Sequence, residues 1–209
     1  MELKQEILKA LDELRKNEKR KFNQTADLII NLQKFDVKKQ NMNLFLNVPY
    51  KIKDKKIAGF FESKNKDVET ITPLEFKTYE DKKELKKLAK KFDFFIAQAN
   101  LMPKVATVFG RVLGPAGKMP SPQLGILMNA DEKNIRAVKE KIDNSVKIKI
   151  KEASVKLAIG KQSMKNEEIA ENVLSVYNSL MKVLPKGKDN IKNVEIKFTM
   201  TKPQKIRIR

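Results

Sequence analysis

FDFFIAQ, Phe92–Gln98, packs five apolar residues into seven positions and shows no alternation. A strand with one wet face alternates apolar with polar, so this run reads as a central parallel strand buried on both faces. The residues around it agree. KIAGFFES (Lys56–Ser63) reads as a buried strand and VETIT (Val68–Thr72) as a short one. Thr72-Pro73 opens a turn or short helix, and EDKKELKKLAKKF (Glu80–Phe92) sets charged residues on an apolar rail, as a surface helix does. A second helix follows over about Met102–Leu113 and a third over Asp131–Ile142, which starts Asp-x-x-Asn. Strands alternating with helices predict a small βαβ-type domain.

Further out, the pattern changes. VKIKIKE (Val146–Glu152) alternates strictly, placing Val146, Ile148 and Ile150 toward a core and Lys147, Lys149 and Lys151 toward solvent or a partner. ASVKLAIGK (Ala153–Lys161) continues as a strand. NEEIAENVLSVYNSLMKVL (Asn166–Leu184) is an amphipathic helix with Asn166 as its expected cap and Glu167 and Glu168 favouring the positive end. IKNVEIKFTMTKPQKIRIR (Ile191–Arg209) predicts two strands separated around Pro203. At the other end, Leu3, Ile7, Leu8, Leu11 and Leu14 mark one helix face, which runs into a basic stretch, Arg15–Lys21. ADLIINL (Ala26–Leu32) and MNLFLNV (Met42–Val48) read as strands around a lysine-rich loop, and YKIKDKK (Tyr50–Lys56) as a crossing between domains. Both ends of the chain share one character and the middle another. The economical organisation is a discontinuous α+β domain, residues 1–54 and 144–209, with an α/β domain inserted at 55–143.

Charge bears on partners. The 209 residues carry a formal net charge of +19, which attracts polyanions, nucleic acid first and an anionic membrane surface second. The segment Lys55–Asp143 has 18 basic and 12 acidic residues against 27 and 14 in the rest, so the split domain is the denser cation. The sequence has no Cys, His or Trp, which closes Cys/His zinc sites, thiol nucleophiles and Ser-His-Asp triads. No run of about 18 apolar residues occurs, so nothing is expected to span a membrane, and nucleic acid, not a membrane, is the expected partner. The N-terminus reads as an amphipathic helix with acidic residues where a signal peptide would be apolar; a cytoplasmic protein is the expectation.

One segment looks chemical. GRVLGPAGKMPSPQLG (Gly110–Gly125) holds four of the seven glycines and three of the eight prolines. A phosphate loop needs a glycine five residues before its Gly-Lys and a hydroxyl after the lysine. Val112 and Met119 occupy those positions. The dinucleotide fingerprint also fails, because no G-x-G-x-x-G starts at Gly110 and the loop follows a helix. No other catalytic constellation appears, and no cofactor is expected. A nucleotide-dependent enzyme acting on nucleic acid remains the competing class, separable by whether ATP or GTP shifts the melting temperature.

The stretch FDFFIAQANLMPKVATVFGRVLGPAGKMPSPQ (Phe92–Gln123) resembles the signature of a ribosomal protein family, the large-subunit protein of the mobile stalk beside the tRNA exit site. KFNQTADLIINL (Lys21–Leu32) and EIKFTM (Glu195–Met200) are similar to that family's RNA-facing segment and C-terminal strand, and Gln-Ala-Asn-Leu-Met-Pro with Lys118-Met119-Pro120 looks archaeal-type. The resemblance implies a split α+β domain with an inserted Rossmann-like α/β domain and two hinges. It implies binding to stalk rRNA, chiefly by the split domain, contact with exit-site tRNA, and repression of the protein's own mRNA by a monomer outside the ribosome. A stand-alone repressor of the same descent is the variant reading. Matched position by position, the rRNA surface includes Lys21, Phe22, Asn23, Gln24, Thr25 and Asp27, then Gly160 and Lys161, then Thr199, Met200 and Thr201. Arg111, Gly114, Gly117, Lys118 and Met119 are the candidates for tRNA or interdomain contact. The sequence departs from the family at Thr201, where glycine is usual, at VPYKIKDKK (Val48–Lys56), where a glycine-rich hinge is usual, and at Ala116, where Arg is common.

Overall fold

The computed structural model describes residues 2–17, 20–36, 43–79, 81–129, 131–150 and 152–208. Lys151, part of the basic run (18–19), most of the lysine-rich loop (37–42), Glu80 and Arg209 lie outside them. The chain divides into two compact units, Met1–Lys53 with Asn144–Arg209, and Asp54–Asp143.

In the first unit, α1 (Glu2–Arg15) and α5 (Asn166–Val183) pack on an antiparallel sheet. Its strands β1 (Thr25–Leu32), β8 (Ser154–Lys161), β9 (Ile191–Phe198) and β10 (Gln204–Ile206) lie in the order β10-β9-β1-β8. Alternation along β1 sends Ala26, Leu28, Ile30 and Leu32 inward against Ile7, Leu11 and Leu14 of α1 and Ile169, Val173 and Val176 of α5. The other face of the sheet carries Thr25, Asp27, Ile29 and Asn31. A separate antiparallel pair, β2 (Asn43–Asn47) with β7 (Ser145–Lys149), adds Leu46, Val48, Ile148 and Ile150 to the same core. Lys147 and Lys149 are exposed, as their alternation predicts.

The chain leaving β2 is tied to α5. The fully buried Asn172 accepts from the Tyr50 N–H at 2.9 Å and donates to the carbonyls of Tyr50 (3.0 Å) and Ile159 (2.9 Å). An amide so placed has every polar group satisfied, which is the condition for burying it. The cap of α5 differs from expectation. Lys165 is the N-cap, its N–H donating to Glu168 Oε2, and Asn166 instead bonds across to α1.

The second unit is a parallel sheet of β3 (Ile57–Phe60), β4 (Glu69–Ile71), β5 (Phe94–Gln98) and β6 (Ile126–Leu127) in the order β4-β3-β5-β6. Its helices are α2 (Lys82–Lys91), α3 (Met102–Ala116) and α4 (Glu132–Asp143), with a 3₁₀ helix at Pro73–Tyr79. Phe95 and Ala97 of β5 face Leu85, Leu88, Val105 and Phe109 of α2 and α3, while Ile96 faces Ile135 and Ile142 of α4. Burial on both faces is why β5 lacks alternation. Phe60 stacks on Phe95 with ring centroids 5.7 Å apart and tilts against Phe109 at 4.7 Å, so an aromatic cluster fills the α2–α3 side. With helices on both faces of a mostly parallel sheet, the unit is a Rossmann-like α/β domain.

Candidate nucleic-acid interface

Three segments of the first unit meet at one end of its antiparallel sheet: the entry to β1 (residues 21–25), the turn between β8 and α5 (161–165), and the turn after β9 (199–201). Polar side chains fasten them. Asn23 donates from Nδ2 to Ser163 Oγ (2.9 Å) and accepts the Ser163 N–H on Oδ1 (3.1 Å). Gln24, only 2 % exposed, accepts the Met200 N–H at 3.0 Å, while its backbone carbonyl accepts the Gln162 N–H. Thr199 Oγ1 accepts from the Thr25 N–H at 3.1 Å.

Once these side chains have been used, what faces outward is different in kind. Phe22 is 51 % exposed and Met200 61 % exposed, two apolar side chains on segments that meet at this one strand end. Around them the three segments carry Lys21, Lys161 and Lys165, and Lys202 follows directly. Apolar platforms among lysines can take bases or riboses while the ammonium groups neutralise phosphates.

Several matched residues therefore position the surface without themselves forming it. Gln24 is buried and holds the Met200 backbone. Thr201 is turned inward, its Oγ1 accepting from the Phe198 N–H (2.9 Å) and donating to the Phe198 carbonyl (3.3 Å). Its φ is not positive, so a side chain fits where glycine is usual in the family. Gly160 is buried against α5, and a Cβ there would lie 2.9 Å from Ile169 Cγ1. The missing side chain lets the helix close on the sheet.

Arg15, at the end of α1, is a residue that sequence reasoning missed. It donates to the carbonyls of Gln162 (2.9 Å) and Met164 (2.6 Å) and to Asn166 Oδ1 (2.5 Å), locking the β8–α5 turn. It read only as the first residue of a basic run, and no local signal marks its partners some 150 positions away.

Asp27 lies one step further along β1 on the open face. The register of β1 against β8 shifts between Ala26 and Asp27, making Ile159 the extra residue of a bulge. Ile159 and Gly160 both point inward as a result, and Lys161 comes out opposite Thr25 while Ala158 comes out opposite Asp27. Burial pushes the Asp27 carboxyl above the ordinary carboxylate range, and the neighbouring Lys197 pulls it back.

A family model described as the ribosomal protein L1p/L10e family matches residues 14–202, a span that takes in all three segments. The chain belongs to that family. It is 36 % identical over 196 residues to the large ribosomal subunit protein uL1 of Nanoarchaeum equitans, covering 89 % of this chain and 92 % of the relative. The uL1 of Pyrococcus abyssi is 33 % identical over 216 residues (98 % and 96 % covered), and that of Methanobrevibacter smithii 34 % over 209 (94 % and 96 %).

The glycine- and proline-rich segment lies in the other unit, and its first part, Gly110–Leu113, is helix as expected, with Phe109 and Leu113 continuing the buried stripe begun at Val105. The structure carries α3 about one turn further than expected, through Gly114–Ala116. Gly117, with φ of 67°, ends the helix in the left-handed conformation that suits glycine. Lys118 then turns inward, donating from Nζ to the carbonyls of Ala89 (2.8 Å) and Phe92 (2.7 Å) at the end of α2. Met119 packs against the α2–α3 core. Of the five residues matched for tRNA or interdomain contact, Gly117, Lys118 and Met119 are thus joints inside the unit. Arg111 and Gly114 are exposed.

Proposed function

We propose that this protein is a structural constituent of the large ribosomal subunit in the cytoplasm and that it binds large-subunit rRNA through the strand-end surface of its split domain, residues 1–54 and 144–209. The observation that carries the reading is the exposure of Phe22 and Met200 among lysines at a place where neighbouring polar side chains are spent on holding the turns. The uL1 names of the relatives support the ribosomal setting. The inserted domain, residues 55–143, offers Arg111 and Gly114 as the exposed matched positions for exit-site tRNA. Repression of the protein's own mRNA follows if that message presents the same RNA shape to the same surface. In this reading the protein acts by binding and not by catalysis.

The test is a titration of the full chain with a stalk rRNA fragment and with unrelated duplex RNA of equal length, at several salt concentrations. Phosphate contacts alone give both RNAs similar affinity and a steep salt dependence. The expected result is at least about a hundredfold preference for the stalk fragment, roughly 2.7 kcal/mol. Equal binding would reduce the protein to a general cation for RNA.

A further inference from the structure

Beyond the strand-end surface, the open face of the sheet holds a groove of about 330 Å³ lined by Asp27, Ile29, Lys156, Leu157, Ala158 and Lys197. Asp27 stands two residues beyond Thr25 on β1, and Lys197 two residues before Thr199 on β9, opposite Asp27 in register. The groove thus begins one side-chain row, about 7 Å, from the proposed RNA site and on the same face. Lys156 on β8, opposite Ile29, and Lys197 on β9, opposite Asp27, flank β1 diagonally from either side, about 12 Å apart. Ala158, exposed and opposite Asp27, leaves the floor open between them.

The two lysines are available. Lys156 meets Glu152 at only 3.6 Å with both side chains well exposed, a weak pair. Lys197 has no described hydrogen bond, and no described residue donates one to the Asp27 carboxylate. A carboxylate between two lysines would repel a phosphate, which has no proton to give. The backbone donor that distinguishes RNA is the ribose 2′-hydroxyl. We propose that the groove takes one further sugar-phosphate step of the same RNA, with phosphates on Lys156 and Lys197 and a 2′-hydroxyl donating to Asp27. The assignment rests on the rRNA-binding reading and extends it from the strand end onto the sheet face.

The experiment titrates the full chain and the variants Lys156→Gln, Lys197→Gln, Asp27→Ala and Met200→Ala with the stalk fragment over a range of salt. It then repeats wild type and Asp27→Ala, which has no acceptor left, with fragments carrying single 2′-deoxy substitutions, one position at a time. Each lysine variant is expected to lower the salt slope by about one unit. One 2′-deoxy position is expected to weaken wild type about tenfold and to leave Asp27→Ala unchanged. Unchanged slopes, or the absence of any position coupled to Asp27, would overturn the assignment. If Met200→Ala still weakened binding, the strand-end site would survive that failure. If Met200→Ala were silent as well, the rRNA reading itself would fall. All four substituted side chains are at least partly exposed, so melting temperatures close to wild type are expected and serve as the folding control.

Discussion

Two regions of this protein look alike as sequence and end up opposite in use. The strand-end cluster of the first unit and the glycine- and proline-rich segment of the second both set polar, basic and small residues around turns. In the first, Asn23, Gln24, Thr199 and Thr201 are spent on the turns themselves, which leaves Phe22, Met200 and the lysines facing out. In the second, the lysine is the residue spent. Lys118 terminates α2, and Gly117 turns the chain so that it can. The difference teaches that a residue's chemistry says little until its hydrogen-bonding groups have been accounted for. A side chain whose donors are all used inside the fold has none left for a ligand.

The largest test of that contrast is Lys118→Met. Removing a half-buried ammonium that satisfies two carbonyls at a helix C-terminus should cost about 2 kcal/mol of stability. RNA affinity measured on the folded protein should stay within twofold of wild type. Wild-type stability together with lost RNA or tRNA binding would make Lys118 a surface contact and break the contrast. Met200→Ala should do the reverse. Its side chain is exposed, so stability should move by less than about 0.5 kcal/mol. Affinity for the stalk fragment should fall about tenfold, in the range of a lost base or ribose platform. Chemical denaturation and binding titration on the same two variants give the full comparison.

Legibility followed the same division. Two strands could be read directly, because alternation in VKIKIKE and its absence in FDFFIAQ are consequences of wet and dry faces. The end of α3 could not. Gly114 and Pro115 argue on propensity for ending the helix at Leu113, yet it runs on to Ala116 before Gly117 ends it. Residue matching brought Lys21 through Thr25 and Thr199 through Thr201 to one place, but it did not separate surface from support. That separation depends on partners far along the chain: Asn23 with Ser163, Gln24 with Met200, Arg15 with Gln162. No spacing within one segment encodes them.

Asp27→Asn gives the smallest effect on stability and sharpens the contrast most. Here an outward-facing charge is spent on no described hydrogen bond, and burial raises its pKa. A carboxyl raised in the folded state binds its proton more tightly there than in the unfolded chain. Its contribution to stability is therefore full below the unfolded value, 3.8, and is lost as pH rises through the folded one. At neutral pH wild type carries this penalty and the asparagine variant does not. The variant should melt slightly higher at pH 7, by the equivalent of less than about 0.5 kcal/mol because water still reaches much of the group. The difference should shrink as pH falls through the carboxylate range. A residue kept for support would lose stability on replacement. A residue that weakens RNA binding when replaced, yet stabilises the free protein, is one whose partner comes from outside the chain.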